Sequence, residues 1–282
     1  MALTDTLDNF EIFRWNNYSE PRTYNGMSLR INQQPYLDIV LTDKCNRHCG
    51  FCIADLLDKK EDCDLKVFES QIEYAIKEFG VQEVLIVGGE PTIAKNLFSI
   101  LNLLDFYREE GRIKKICITT NGDRLKKGDF LPNLTNYVTH INLSLMCNDL
   151  EKQTKIAGAD RSLTQTNLER IHTWCRDNIH LRINNNIFRD NHDSLEKVMA
   201  FYNQVKDVSN SVKFSPLLRV DNFSVVNKTT EFVRNNILTP DEYETLFKQI
   251  EQHYVDFPIV RNPLTFGFVE YSMICMENPV LP

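Results

Sequence analysis

Three cysteines crowded into one short stretch constrain this chain more than any other feature. Cys45, Cys49 and Cys52 lie in Leu41-Thr42-Asp43-Lys44-Cys45-Asn46-Arg47-His48-Cys49-Gly50-Phe51-Cys52, a Cys-x3-Cys-x2-Cys run directly behind an apolar, strand-like segment. A fold that carries this run has to present three thiolates together at a strand end. A cubane [4Fe-4S] cluster has four irons and is ordinarily held by four thiolates, so a three-cysteine cradle leaves one iron open to another ligand. The competing readings for three close cysteines are a zinc knuckle or a set of plain buried thiols.

Two further segments decide between them. Val84-Leu85-Ile86-Val87-Gly88-Gly89-Glu90-Pro91-Thr92 is a continuous apolar strand ending abruptly in two glycines and an acid, and Ile116-Cys117-Ile118-Thr119-Thr120-Asn121-Gly122 closes a later strand. With the aromatic Phe51 before the third cysteine, the cysteine run, the Gly-Gly-Glu-Pro and the Thr-Asn-Gly resemble the radical S-adenosylmethionine (radical SAM) superfamily. The stretch Leu181-Arg182-Ile183-Asn184-Asn185-Asn186-Ile187, continuing to Asn191, is similar to the molybdenum-cofactor nucleotide cyclase and viperin-like branch. Many relatives carry an auxiliary-cluster domain, and here the chain departs from them, since Cys275 alone cannot hold a cluster.

The resemblance implies that Cys45, Cys49 and Cys52 bind one [4Fe-4S] cluster and that SAM chelates its open iron. An electron donor such as flavodoxin or ferredoxin reduces the cluster, SAM is cleaved to methionine and a 5'-deoxyadenosyl radical, and that radical takes a hydrogen atom from the substrate. The chemistry belongs to the cofactor, and the protein supplies position and the exclusion of water. On this reading the chain is an oxidoreductase or lyase. The SAM ammonium needs acceptors, for which Glu90 and the turn carbonyls of Gly88 and Gly89 are the candidates, with Phe51 beside the cluster. Its carboxylate and ribose need donors, supplied by Asn121, Ser144, Arg182 and Asn184; for Arg182 an ordinary salt bridge is the alternative. Lys44, Arg47 and His48 read as solvated or cluster-tuning side chains, the histidine through a hydrogen bond to a cluster sulfur.

Composition narrows the class. The chain has 282 residues, 42% of them hydrophobic, and a net charge of -7, enough for one large α/β domain with a substantial core. No Lys/Arg block marks a nucleic-acid stripe, so long RNA or DNA is not the expected partner. No apolar run has the length of a membrane span, and the N-terminus lacks a basic head followed by an apolar stretch, so a cytoplasmic enzyme is expected. Cys63, Cys117, Cys147 and Cys175 form no second closely spaced pair, and Cys117 and Cys175 fall in apolar contexts where a free cysteine acts as a small buried hydrophobe.

Strand-like and helix-like segments alternate along the chain. Tyr36 to Thr42, Val84 to Val87, Ile116 to Thr119, His140 to Leu145, Leu181 to Ile187 and Val212 to Leu217 read as strands. Leu65 to Phe79 reads as a helix with Phe68, Ile72, Ala75, Ile76 and Phe79 on one face and Gly80 as its stop, and helical patterns recur at 92–109, 125–134, 164–177 and 194–206. Such alternation implies a parallel sheet. The resemblance makes that sheet a partial (β/α)6 barrel over residues 35–220, flanked by an N-terminal extension, 1–34, and a C-terminal segment, 221–282, that covers the barrel opening. Chemistry is then expected at the C-terminal strand ends, where all the motifs fall.

The extensions say less. Residues 1–34 hold an aromatic group (Phe10, Phe13, Trp15, Tyr18, Tyr24) and an Asn25-Gly26 turn signal. Thr239-Pro240-Asp241-Glu242 has the pattern of a capping box with proline at the first helical position, and Leu264 to Met273 reads as a strand. Pocket candidates there are Arg219, Asn262, Glu270 and Tyr271. The expected substrate is a small molecule of the nucleotide or nucleoside kind, with Arg182, Arg189 and Arg219 available for phosphates. The alternative is a short, ribosomally made peptide. A metal-binding scaffold without catalysis is the non-enzyme alternative, opposed by the joint presence of the cysteine triad, Glu90 and Asn121.

Overall fold

Apolar strands alternating with amphipathic helices organise the computed structural model. It describes residues 22–24, 27–29, 36–52, 61–147, 149–158, 163–175, 178–217, 226–253, 259–263 and 269–273. Two compact units emerge, one of residues 35–243 and one joining 1–34 to 244–282. In the smaller unit β1 (Arg22–Tyr24) pairs antiparallel with β2 (Met27–Leu29).

The larger unit contains a six-stranded sheet of β3 (Tyr36–Thr42), β4 (Glu83–Gly88), β5 (Lys115–Thr120), β6 (His140–Ser144), β7 (His180–Ile187) and β8 (Ser211–Pro216), ordered as in sequence. Every neighbouring pair is parallel. Between the strands run α1 (Leu65–Phe79), α2 (Leu97–Glu109), α3 (Phe130–Thr135), α4 (Leu150–Ala157), α5 (Gln165–Cys175) and α6 (Leu195–Val205). The sheet is a partial barrel of the α/β class. Ile39, Leu41, Val84, Ile86, Ile116, Ile118, Ile141, Leu143, Leu181 and Ile183 bury one face of the sheet in a core shared with Phe68, Ile72, Leu101, Leu104, Leu168 and Phe201 of the helices. Each such side chain withdraws about 1.5–3 kcal/mol worth of apolar surface from water, so Ile118→Ala, at 0% exposure, would cost about 2–5 kcal/mol.

Because side chains alternate across a strand, the intervening residues face the other way. Over β5, β6 and β7 that second face carries Cys117, His140, Asn142, Ser144, His180, Arg182 and Asn184, most of them polar.

Local signals fix the helix ends. Asp64 caps α1 by accepting from the Lys66 and Val67 N–H groups at 2.9 and 3.1 Å, and the helix stops at Gly80. Phe79, expected on the buried face, is instead 63% exposed, because it lies in the last turn beyond the Phe68–Ile72–Ala75 stripe and packs on Tyr74. The helix expected over 92–109 begins only at Leu97, since Pro91–Ile93 forms a separate 3-10 turn, and that expected over 125–134 is divided between a 3-10 turn at Arg124–Lys126 and α3. Beyond β8 lie α7 (Lys228–Asn236) and α8 (Pro240–His253). The Thr239 hydroxyl accepts the Glu242 N–H at 3.3 Å while a Glu242 oxygen accepts the Thr239 N–H at 2.7 Å, the reciprocal pair of a capping box. In the smaller unit β9 (Ile259–Pro263) pairs antiparallel with β10 (Val269–Met273). The strand expected from Leu264 is described only from Val269. Among the described residues no helix is long and apolar enough to cross a membrane.

Candidate active site

The cysteine run leaves β3 at Thr42 and is tied down on three sides. Toward β4, the Gly89 N–H donates to the Thr42 carbonyl at 2.6 Å and the Glu90 N–H to the Lys44 carbonyl at 2.8 Å. Toward the C-terminus of α4, the His48 and Gly50 N–H groups donate to the Ala157 and Ile156 carbonyls at 3.0 and 3.2 Å. Within the loop, the Cys52 N–H donates to the Cys49 carbonyl at 2.9 Å and the Arg47 N–H to Cys45 Sγ at 3.4 Å. Lys44 Nζ pairs with Asp62 at 3.2 Å, and the Thr42 hydroxyl, the largest influence, holds the Asp62 carboxyl below its ordinary value.

The double glycine is required by this approach. A Cβ on Gly89 would stand 2.2 Å from the Lys44 carbonyl oxygen, and one on Gly88, whose φ is 141°, would stand 2.3 Å from that of Thr42. Only glycine lets two backbones come so close.

Glu90 follows, 1% exposed. Its Oε1 accepts from the Thr92 N–H (3.1 Å), the Thr92 hydroxyl (2.5 Å) and the Thr120 hydroxyl (2.6 Å), and its Oε2 accepts the Asn121 N–H at 2.7 Å. Burial pushes the carboxyl above its ordinary value, and these donors pull the other way. Glu90 lies near enough to Cys45 to raise that thiol, whose main upward push is its own burial.

The third side of the cysteine loop faces the end of β5. Arg47 Nε and Nη2 donate to Asp123 Oδ2 and Oδ1 at 3.1 and 2.8 Å, and Asn46 Nδ2 also donates to Oδ2 at 3.0 Å. Asn121 Nδ2 donates to Asn46 Oδ1 at 2.8 Å while its own Oδ1 accepts the Asp123 N–H at 3.0 Å. Lys126 Nζ approaches Asp123 Oδ1 at 3.3 Å. Arg47, expected solvated or cluster-tuning, is therefore a buried ion-pair member, 8% exposed on its side chain, because its partner lies 76 residues away.

Phe51 packs in a satellite cluster, its ring centroid 6.2 Å from Phe188 and 6.5 Å from Phe232, beside Met146, Cys147, Ile156, Leu217 and Val233. On the polar sheet face Asn142 registers against Arg182 and Ser144 against Asn184. Arg182 Nε donates to Asn184 Oδ1 at 3.0 Å, and among the described residues Arg182 has no carboxylate partner. Deeper on that face the rings of His140 and His180 stack at 5.1 Å, and burial pushes both imidazoles below their ordinary value, His140 to about 4.

Of the residues singled out from sequence, the three cysteines, Gly88, Gly89, Glu90 and Asn121 share one contiguous network. Ser144, Arg182 and Asn184 form a second group on β6 and β7. Arg189 is committed elsewhere, in a two-pronged pair with Glu242 at 2.9 and 2.8 Å. Arg219 lies outside the described residues, and Asn262, Glu270 and Tyr271 belong to the smaller unit, where Asn262 registers against Glu270. Asn46, Thr92, Thr120 and Asp123 were not anticipated. Thr120 and Asp123 flank the Asn121-Gly122 signal, and a short polar residue beside such a turn was the available cue.

The cysteines fit an iron-sulfur cluster. All three are half-buried free thiols on one loop. Thiolates are the donors that iron-sulfur clusters take, one at each iron, and three of them leave the fourth iron of a cubane open.

Fold and site together define a barrel enzyme that presents three thiolates beside a glycine-acid turn at the C-terminal strand ends. The chain belongs to the Radical SAM superfamily, whose family profile matches residues 39–202. It is an enzyme whose cofactors are a [4Fe-4S] cluster and SAM. It is 30% identical over 191 residues to molybdenum cofactor biosynthesis protein moc-5 of Caenorhabditis elegans, covering 65% of this chain and 30% of that one. With GTP 3',8-cyclase of Mesorhizobium japonicum it shares 31% identity over 121 residues, 42% of this chain and 36% of the other. The chain thus spans about a third of the length of these relatives. Streptococcus suis SuiB, solved with S-adenosylmethionine bound, superposes with a TM-score of 0.55 at 22% identity, covering 79% of this chain and 49% of that one.

Proposed function

We propose that Cys45, Cys49 and Cys52 ligate the cluster, that the Gly88-Gly89-Glu90 turn and Asn121 form the SAM-binding rim, and that the substrate is a small anionic molecule of the nucleotide class. When bound, the cluster supplies the electron that cleaves SAM and so the radical that takes hydrogen from substrate. The protein's share is to position and to exclude water. The turn carbonyls of Gly88 and Gly89 accept from the SAM ammonium, while Glu90 holds that turn to Asn121. Ser144, Arg182 and Asn184 present donors to the SAM carboxylate and ribose and to the substrate anion. A low-potential electron carrier of the flavodoxin or ferredoxin kind reduces the cluster.

One observation carries the substrate reading: Arg182 stands half-buried on the polar sheet face, and among the described residues its guanidinium is answered only by Asn184. A half-buried cation without a carboxylate partner is ready for an anionic ligand. Support comes from the relatives named GTP 3',8-cyclase, over the portion of them that this chain spans.

The test is isotope transfer. Reduced enzyme and SAM are incubated with deuterium-labelled fractions of a cell extract, and the released 5'-deoxyadenosine is examined for deuterium. Label from a small, anion-exchange-retained fraction is the expected result. Label only from a short-peptide fraction would replace the substrate class with a peptide.

A further inference from the structure

Asp123 occupies a position that cluster ligation alone does not explain. It is 4% exposed, and its carboxylate gathers three donors from two different places: Arg47 and Asn46 from within the cysteine run, and Lys126 from the turn after β5. The same residue's N–H holds the Asn121 side chain, which reaches back to Asn46. Four residues thus close a ring between the arc that separates Cys45 from Cys49 and the end of β5.

We propose that Asp123 is a positioning residue that pre-forms the cysteine loop for its cluster and couples that loop to the Asn121 end of the SAM-binding rim. The proposal rests on the assignment of Cys45, Cys49 and Cys52 as cluster ligands. Arg47 lies between the first two cysteines. Fixing its guanidinium in a two-pronged pair sets both its position and its direction, which a single-point contact would not do. A buried pair is strongly destabilised when one partner is removed, because the other charge is left without compensation. With Asp123 gone, the Cys45–Cys49 arc loses the two-pronged pair that sets the direction of the Arg47 side chain. The ties that remain, Lys44 to Glu90, Asn46 to Asn121, and His48 and Gly50 to the end of α4, are single hydrogen bonds and open more readily without the ion pair. Coupling to Asn121 is reciprocal by necessity: if the ring steadies the cluster loop for SAM, then SAM steadies the loop for the cluster.

The experiment compares wild type, Asp123→Ala and Arg47→Lys, first without metal and then after anaerobic iron and sulfide loading. In the metal-free chains, hydrogen exchange is followed at the Arg47, His48 and Gly50 amides, with Ile118 and Leu143 in the sheet reporting that the fold is intact. The expected result is protection of the loop amides in wild type and its loss by on the order of 100-fold in Asp123→Ala, with unchanged sheet protection. Arg47→Lys keeps the charge but not the fork, so it should lose protection to a smaller degree and serves if Asp123→Ala does not fold. After loading, both variants should take up iron more slowly, and the change that SAM causes in the electron paramagnetic resonance spectrum of the reduced cluster should shrink. Loop protection and SAM response equal to wild type in either folded variant would overturn the proposal. Failure of wild type itself to load a cluster would instead overturn the ligand assignment, a separate result.

Discussion

Glu90 Oε2 accepts the Asn121 N–H at 2.7 Å across 31 positions of sequence, joining the end of β4 to the end of β5. With Oε1 taken by Thr92 and Thr120, all four of these donors depend on one carboxylate. Removing it leaves them in a pocket that water does not reach. Glu90→Ala is therefore expected to lower the free energy of unfolding by about 3 kcal/mol or more, and Glu90→Gln, which retains one acceptor oxygen, by about 1–2 kcal/mol. Urea denaturation of the metal-free chains measures both. Near-equal losses in the two variants would mean that the donors find other partners.

Gly89→Ala should be more harmful than the loss of its small surface suggests. Its new Cβ would meet backbone, at 2.2 Å from the Lys44 oxygen, so the cysteine loop itself has to move. The expected outcome is a folded chain that retains well under half the wild-type iron after reconstitution and washing. Full retention would show that the β4 turn and the loop separate without consequence.

His192 makes the larger unit sensitive to acid. It is 6% exposed, its Nε2–H donates to the Met146 carbonyl at 2.9 Å, and its ring lies against Phe201 and Phe214. Burial pushes the imidazole from 6.5 down to about 4. An unfolded chain takes up this proton near pH 6.5 and the folded chain resists it, so stability is complete above pH 6.5 and falls as the pH drops toward 4. The loss over that window is about 3 kcal/mol. His192→Asn, which suits a residue with φ of 45°, should flatten the slope of stability between those pH values, while His140 continues to contribute its own. Denaturation series at several pH values in wild type and variant provide the check. An unchanged slope would reject His192 as the source.

The sheet and the cysteine, glycine-acid and Thr-Asn-Gly segments were legible because each is encoded in adjacent residues. Apolar runs at Val84–Val87 and Ile116–Thr119 announce buried strands, and the glycines mark where they end. What held the site together was not legible. Arg47 and Asp123 are each unremarkable polar residues within their own segments, and only the return of the chain after two βα units makes them partners. The same holds for Thr120 and Glu90. Helix α4 escaped notice because its eight residues carry a polar face and only Ile156 and Ala157 as buried apolar side chains, yet its C-terminus supplies two of the ties on the cysteine loop. Helix α7 was missed for a like reason: its buried side chains are Thr229, Thr230 and Val233, a stripe too polar to stand out.

Iron content and 5'-deoxyadenosine release, measured together, decide whether Cys45, Cys49 and Cys52 hold one SAM-cleaving cluster. Anaerobically reconstituted wild type should carry about four irons and, with SAM and a strong reductant, release 5'-deoxyadenosine and methionine even without substrate. The chain bearing Cys45→Ala, Cys49→Ala and Cys52→Ala should do neither. Retention of a full cluster by the triple variant, about eight irons on wild type, or a fully loaded and reduced wild type that leaves SAM intact would contradict the assignment of one SAM-cleaving cluster to these three cysteines.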